Sequence, residues 1–145
     1  VIEFTPLLNF EKTAVNVTTG ENPATVATPG DTIRYTLRVE NAGGSDITGF
    51  SIVDELDRLN ANPMFQPGTL NVVTLPAGAD ASATNASGGT AGTGLLDVRN
   101  LSIGGLGETL LNVAFAQLPG GDHVRFSVDF RCLRFHGLQG IEHAG

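Results

Sequence analysis

Apolar and polar residues alternate one by one along much of this chain, and a period of two predicts β-strands. The clearest case is residues 32–41, whose apolar positions are Ile33, Tyr35, Leu37 and Val39. The flanking segments 28–31 and 41–44 are rich in Pro, Gly, Asp and Asn, which favour turns. Asn41 has the parity of the apolar side, and we expect it to hydrogen-bond its own backbone in the following turn.

The same alternation predicts seven further strands, most of them separated by segments that contain Gly or Pro. They cover residues 8–15, 50–56, 70–75, 95–103, 108–118, 123–133 and 137–145. Within 95–103 the apolar positions change parity, which predicts a β-bulge near Asn100. Residues 77–94 are mostly small and polar and show no apolar period, so a long irregular and flexible excursion is expected there.

About eight short strands without an intervening helix predict an all-β fold, and their spacing favours an immunoglobulin-like sandwich of two antiparallel sheets. A chain of 145 residues fits one domain whose core needs neither a disulfide nor a metal. Residues 8–145 are assigned to this domain, and residues 1–7 to a lead segment or linker. Composition agrees, because the chain contains 19 Gly and 7 Pro but no Trp.

Charge and residue content argue against several functional classes. A formal net charge of −7 makes binding to nucleic acid unfavourable, and no run approaches the ~20 apolar residues of a membrane helix. Cys132 is the single cysteine, so it reads as a small buried apolar residue. The acidic residues and histidines lack the spacing of a metal site or a catalytic triad. We therefore expect no metal, no cofactor and no conventional enzyme activity.

Three ionisable residues share the parity of apolar neighbours and are predicted to point into the core: Lys12, Asp54 and Glu142. Isolated buried charges are costly, so pairing is expected among them. One outcome is a buried ion pair of Lys12 with Asp54 or Glu142. The other is a self-catalysed cross-link, since a desolvated lysine loses its proton more easily and a carboxyl in an apolar pocket stays protonated.

Residues 10–56 carry a recognisable order of motifs. They read Phe-Glu-Lys-Thr, then Thr-Pro-Gly-Asp-Thr-Ile-Arg-Tyr-Thr-Leu-Arg-Val-Glu-Asn-Ala-Gly, then Phe-Ser-Ile-Val-Asp-Glu-Leu. This order closely resembles the prokaryotic surface repeat known as domain of unknown function eleven. The matching positions are Lys12, Pro29, Gly30, Asp31, Tyr35, Asn41, Gly43 and Asp54. The segments 118–130 and 140–144 also resemble the family's closing strands, so the resemblance spans roughly residues 8 to 144.

The resemblance implies a tandem immunoglobulin-like repeat in an extracellular or cell-surface protein of a bacterium or archaeon. It also implies a relation to adhesin stalk modules that form Lys–Asn isopeptide bonds, with Lys12 as nucleophile and Asp54 as assisting acid. Two positions depart from the pattern. Glu142 stands where such repeats usually carry Asn, and Asp57 follows Leu56 where they carry Pro.

The leading functional prediction is a structural or adhesive module whose partners are neighbouring repeats. The alternative is a self-assembling filament subunit, in which the apolar lead 1–6 completes the sheet of the next identical subunit and buries Ile2 and Phe4. A hydrolase or carbohydrate-binding module has no support, because Trp is absent and Tyr35 is the single tyrosine. The sequence identifies no host or polysaccharide ligand.

Overall fold

The computed structural model describes residues 8–55, 65–87, 95–118, 124–125 and 133–136. Every regular element in those ranges is a β-strand, which confirms the all-β prediction. In chain order the strands are β1 (Leu8–Asn16), β2 (Val26–Ala27), β3 (Thr32–Asn41), β4 (Ile47–Asp54), β5 (Asn71–Thr74), β6 (Leu96–Ile103), β7 (Glu108–Gln117), β8 (Val124–Arg125) and β9 (Leu133–His136).

The described strands form two larger sheets and a short ribbon, and all their pairings are antiparallel. One sheet has the order β1-β3-β7-β5 and the other the order β6-β4-β9, while β2 pairs with β8. The first three strands of the larger sheet stay in register along their length. Lys12 on β1 faces Leu37 on β3, and Leu37 in turn faces Asn112 on β7.

The two larger sheets share one apolar core. Its strand-borne members are Leu37, Val39, Ala114 and Ala116 from one sheet and Phe50, Ile52, Leu96, Val98, Leu101 and Ile103 from the other. Alternation along each strand turns these side chains to one face, and the two faces meet. The fold is therefore a β-sandwich-like arrangement, with its core between the sheets.

A smaller core closes one end of the sandwich and is held by buried polar side chains. Its apolar members are Ala14, Ala24, Ala27, Ile33 and Leu118. Asn16 donates from Nδ2 to Asp31 Oδ2 at 2.9 Å, and the same oxygen accepts from the Thr28 amide at 2.9 Å. Asn16 Oδ1 accepts from the amides of Thr18 and Thr19, each at 3.1 Å. The Pro-Gly-Asp turn thus ends in a carboxylate that ties β1 to the start of β3.

Two local predictions are confirmed at turns and bulges. The pairing of β4 with β6 shifts register between Phe50 and Ile52, and Asn100 adopts a φ of 59°, as a bulge requires. Asn41 donates from Nδ2 to Ser45 O at 2.7 Å and accepts from the Gly43 amide at 3.0 Å. Asn41 is therefore a turn former, as its position before Ala-Gly-Gly suggested.

Several strand limits differ from those expected. The strand expected over 50–56 begins three residues earlier, at Ile47, because Ile47 pairs with Ile103 at the end of β6. Residues 134–136 were not expected to be a strand, yet β9 continues through them and pairs with β4. Residues 77–87 are irregular apart from a bridge between Asp80 and Arg99. The expected strand 137–145, the lead 1–7, Cys132 and Glu142 lie outside the described residues.

Candidate functional site

Lys12 and Asp54 meet between the two sheets. Lys12 is on β1 of the larger sheet, and Asp54 is the last residue of β4 in the other. The Lys12 ammonium donates a hydrogen bond to Asp54 Oδ1 at 3.1 Å, and Nζ lies 3.0 Å from Oδ2. The two side chains are only 8% and 1% exposed. The pair therefore forms a polar bridge between the two sheets.

The strand pattern explains why a lysine is found there. Every second residue of β1 from Lys12 to Asn16 is buried, so the backbone directs Lys12 towards the core. Its Nζ also lies 5.0 Å from the centroid of the Tyr35 ring, within the range of a cation–π contact. Tyr35 faces Ala14 on the paired strand, one inward position away from Lys12. The ammonium is thus held between a carboxylate and an aromatic face.

Burial raises the pKa of Asp54, because removing a carboxylate from water disfavours its charged form. The positive charge and hydrogen bond of Lys12 act in the opposite direction, while the nearby Glu55 adds to the rise. No described residue donates a hydrogen bond to Oδ2, although Lys12 Nζ lies 3.0 Å from it. Asp54 is therefore a carboxyl group that is biased towards its protonated form beside an amine.

Glu55 is a buried acidic residue that the sequence pattern did not indicate. It directly follows β4 and is 3% exposed. If the alternation of β4 continued, the side chain of residue 55 would lie on the other face of the sheet from Asp54. The strand ends at Asp54, however, so the alternation does not apply to Glu55. Its charge contributes to the electrostatics of Asp54, so it belongs to the same site.

Asn112 is a second residue that the sequence reasoning missed. It is 3% exposed on the inner face of β7, in the same cross-strand row as Lys12 and Leu37. Among the residues that the structure describes, neither Oδ1 nor Nδ2 has a hydrogen-bond partner. The signal was present, because Asn112 shares its parity with Leu110, Ala114 and Ala116. An amide buried without partners costs free energy, since its bonds to water are lost and not replaced.

Asn112→Leu is therefore expected to raise the free energy of unfolding by about 1–3 kcal/mol, the penalty for an unsatisfied buried group. Leucine has a similar size, so the core is neither emptied nor overfilled. Urea unfolding at an unchanged m-value measures the difference. Asn16→Leu is the matched control and should destabilise, because that buried amide is fully hydrogen-bonded. If the free energy of unfolding fell equally in both variants, the conclusion that the buried Asn112 amide is unsatisfied would be wrong.

The rest of the described chain offers no competing site. No cluster of three or more His, Cys, Asp or Glu side chains within it could hold a metal ion. It also contains no helix that is long and apolar enough to cross a membrane. Of the three predicted site residues, the structure brings Lys12 and Asp54 together, while Glu142 lies outside the described ranges.

No model of a known protein family matches this chain, and neither does any curated protein. The resemblance to prokaryotic surface repeats therefore stays a prediction.

Proposed function

We propose that this chain is a structural or adhesive module of an extracellular or cell-surface protein of a bacterium or archaeon, with neighbouring modules as its partners. The observation that carries the proposal is the sealed Lys12–Asp54 bridge. An amine and a carboxyl group that are 8% and 1% exposed have almost no contact with solvent, so they are poorly placed to act on a dissolved substrate. Their chemistry is directed at the chain itself, where it joins one sheet to the other.

An immunoglobulin-like topology is part of this proposal, and the strand order supports it. In that fold one sheet has the strand composition A, B, E and D, and C and F belong to the other. The order β1-β3-β7-β5 corresponds to A-B-E-D, and the pairing of β4 with β9 corresponds to C with F. Strand β6 lies on the other side of β4, where variable-type domains add strands, but its place in the chain differs: β6 follows β5, whereas the added strands come before strand D.

The proposed module is also stabilised by an amide bond formed by Lys12. The neutral amine attacks the carbon of a protonated carboxyl group, a C–N bond forms, and the C–O bond breaks with release of water. The acceptor is Glu142, with Asp54 transferring the proton, or it is Asp54 itself. The contact of 3.0–3.1 Å and the raised pKa of Asp54 support this step, because they place an acid directly beside the amine.

The mass of the intact, denatured protein tests the cross-link, because condensation removes one water, or about 18 Da. We expect this deficit in the unmodified chain and its absence in Lys12→Arg. Arginine retains the charge but stays protonated, so it cannot act as the nucleophile. Peptide mapping then identifies Glu142 or Asp54 as the acceptor. If the unmodified chain has its full calculated mass, Lys12 and Asp54 form an ion pair only, and the proposal of a cross-link is wrong.

The surface location has its own test, since the cross-link alone does not establish where the module works. Protease added to intact source cells should digest a surface module before lysis. Digestion only after lysis would contradict the proposed location, whatever the state of Lys12.

A further inference from the structure

Two of the exposed strand edges in the described sheets are protected against pairing with another chain. On β1, Glu11 is exposed and Lys12 points inward, and charges at such positions discourage the addition of a strand. On β6, Arg99 pairs with Asp97 at 3.0 Å. The backbone of Asp80 also covers Arg99 through hydrogen bonds of 2.8 and 2.7 Å. Neither edge offers a long, uncharged row of backbone groups.

The edge formed by β5 is different. Within the described sheet β5 pairs with β7 alone, and Val73 and Leu75 are 43% and 37% exposed. No residue from 69 to 79 carries a charge. Its protection consists of a register shift between Val72 and Thr74 and of Pro76 just beyond the strand. A neutral edge with exposed apolar side chains is the kind of edge to which an extended peptide adds.

We infer that the β5 edge binds residues 1–6 of a second copy of this chain as an added antiparallel or parallel strand. That segment reads Val-Ile-Glu-Phe-Thr-Pro, with Ile2 and Phe4 on one parity and Glu3 and Thr5 on the other. Its six residues are enough to pair along all four residues of β5, and Glu3 is its single charged side chain. Ile2 and Phe4 then cover the exposed side chains of Val73 and Leu75.

The segment cannot reach the β5 edge of its own chain. It joins β1 at Leu8, on the opposite side of the sheet, so a position beyond β5 is four strand spacings away, or ~19 Å. Leu8 pairs with Asn41, and Asn41 pairs with Glu108, so Leu8 is level with Glu108 along the sheet. The first residue of β7 that pairs with β5 is Val113, which lies about five residues, or ~17 Å, further along the strand direction. The diagonal is ~25 Å, which is all that seven extended residues span. Nothing would remain to form the pairing.

A donor at β1 and an acceptor at β5 use different surfaces of the molecule. Such a contact is heterologous, so each copy can accept one neighbour and donate to the next. Repeated addition gives a ring or an open filament. This inference goes beyond the proposed module function and does not depend on a Lys12 cross-link.

The test compares four chains by sedimentation velocity over a range of concentrations. They are the full chain, a chain without residues 1–6, Val73→Lys and the control Val17→Lys. Val17 is 45% exposed and lies away from β5, so it receives the same change at the same exposure. We expect polymers from the full chain and the control, and monomers from the other two.

A mixture of the two assembly-deficient chains gives the decisive result. The truncated chain retains the acceptor edge, and Val73→Lys retains the donor segment, so together they should form a 1:1 complex that grows no further. Polymers that survive the truncation would overturn the inference, and so would polymers of Val73→Lys. A full chain that is monomeric up to about 1 mM would overturn it as well, because the contact would then be weaker than any useful assembly requires.

Discussion

Asp54→Ala should lower the free energy of unfolding by about 3–5 kcal/mol, the usual loss when one partner of a buried ion pair is removed. The reason is that the variant lacks the carboxyl group on which the proposed amide bond depends, and it leaves the Lys12 ammonium, which is 8% exposed, between the sheets without the Asp54 carboxylate. Denaturant unfolding of the unmodified and altered chains measures the loss. The matched control is the double variant Lys12→Met with Asp54→Leu, which replaces both charges by apolar groups of similar size. It cannot form the amide bond either, but it should recover the stability that Asp54→Ala loses through the unpaired charge, since a buried pair often contributes little more than well-packed apolar residues.

The pH dependence of stability gives this prediction an independent readout. The folded state raises the pKa of Asp54, so it holds the proton at pH values where the unfolded chain has released it. Protonated Asp54 therefore stabilises the folded state fully below its ordinary pKa of 3.8, and this stabilisation is lost as the pH rises through the raised pKa. Asp54→Asn has no such titration. A loss of stability from Asp54→Ala below 1 kcal/mol, together with an unchanged pH profile in Asp54→Asn, would show that the pair is not buried as described.

Local periodicity is what made much of this fold predictable. The alternation in 32–41 reproduces β3, and the parity change in 95–103 located the bulge at Asn100. The order of strands in the sheets could not be predicted in this way, because it depends on pairings between residues that are distant in the sequence. Nothing in the sequence of 70–75 shows that β5 pairs with β7 at the edge of the larger sheet. The early start of β4 was missed because Thr48 and Gly49 interrupt the apolar alternation.

The motif positions divide into two groups once their contacts are known. Asn41 is satisfied by the turn that follows it, and Asp31 by its own turn together with Asn16 on the neighbouring strand β1, so contacts at one end or the other of the larger sheet account for each. Lys12 and Asp54 are separated by 42 residues and meet only because two sheets pack together. Their inward parity was visible in the sequence, but their contact depends on the tertiary fold. A pair that no local turn requires is the stronger candidate for a role in holding the sandwich together.

Asn112 and Glu55 show where reasoning from parity fails. Asn112 has the inward parity of its strand but was not among the predicted site residues, and no described residue hydrogen-bonds to either of its side-chain polar atoms. Glu55 follows the end of β4, where a period of two no longer applies. Sequence patterns therefore predict which face a strand residue occupies. They do not predict whether a polar side chain on that face finds a partner.

Phe50→Ala is expected to lower the free energy of unfolding by about 3–5 kcal/mol, because it leaves a cavity between the sheets. Phe50 is 0% exposed on the inner face of β4. Phe115→Ala is the matched control. Phe115 is on the outer face of β7, and the Arg34 guanidinium lies 5.8 Å from its ring centroid. Removing the Phe115 ring should lower the free energy of unfolding by no more than about 2 kcal/mol, because only a partly buried surface and a cation–π contact are lost.

Denaturant midpoints of these two variants separate packing between the sheets from packing on the surface, because the same atoms are removed in both. Equal losses would mean that the inner faces of β3 and β7 do not cover Phe50, contrary to the single core that the two sheets share. A clear excess for Phe50→Ala would establish that the apolar contact between the sheets supplies much of the stability. The Lys12–Asp54 bridge then acts within an interface that is already packed, where its main effect is to fix how the two sheets are aligned.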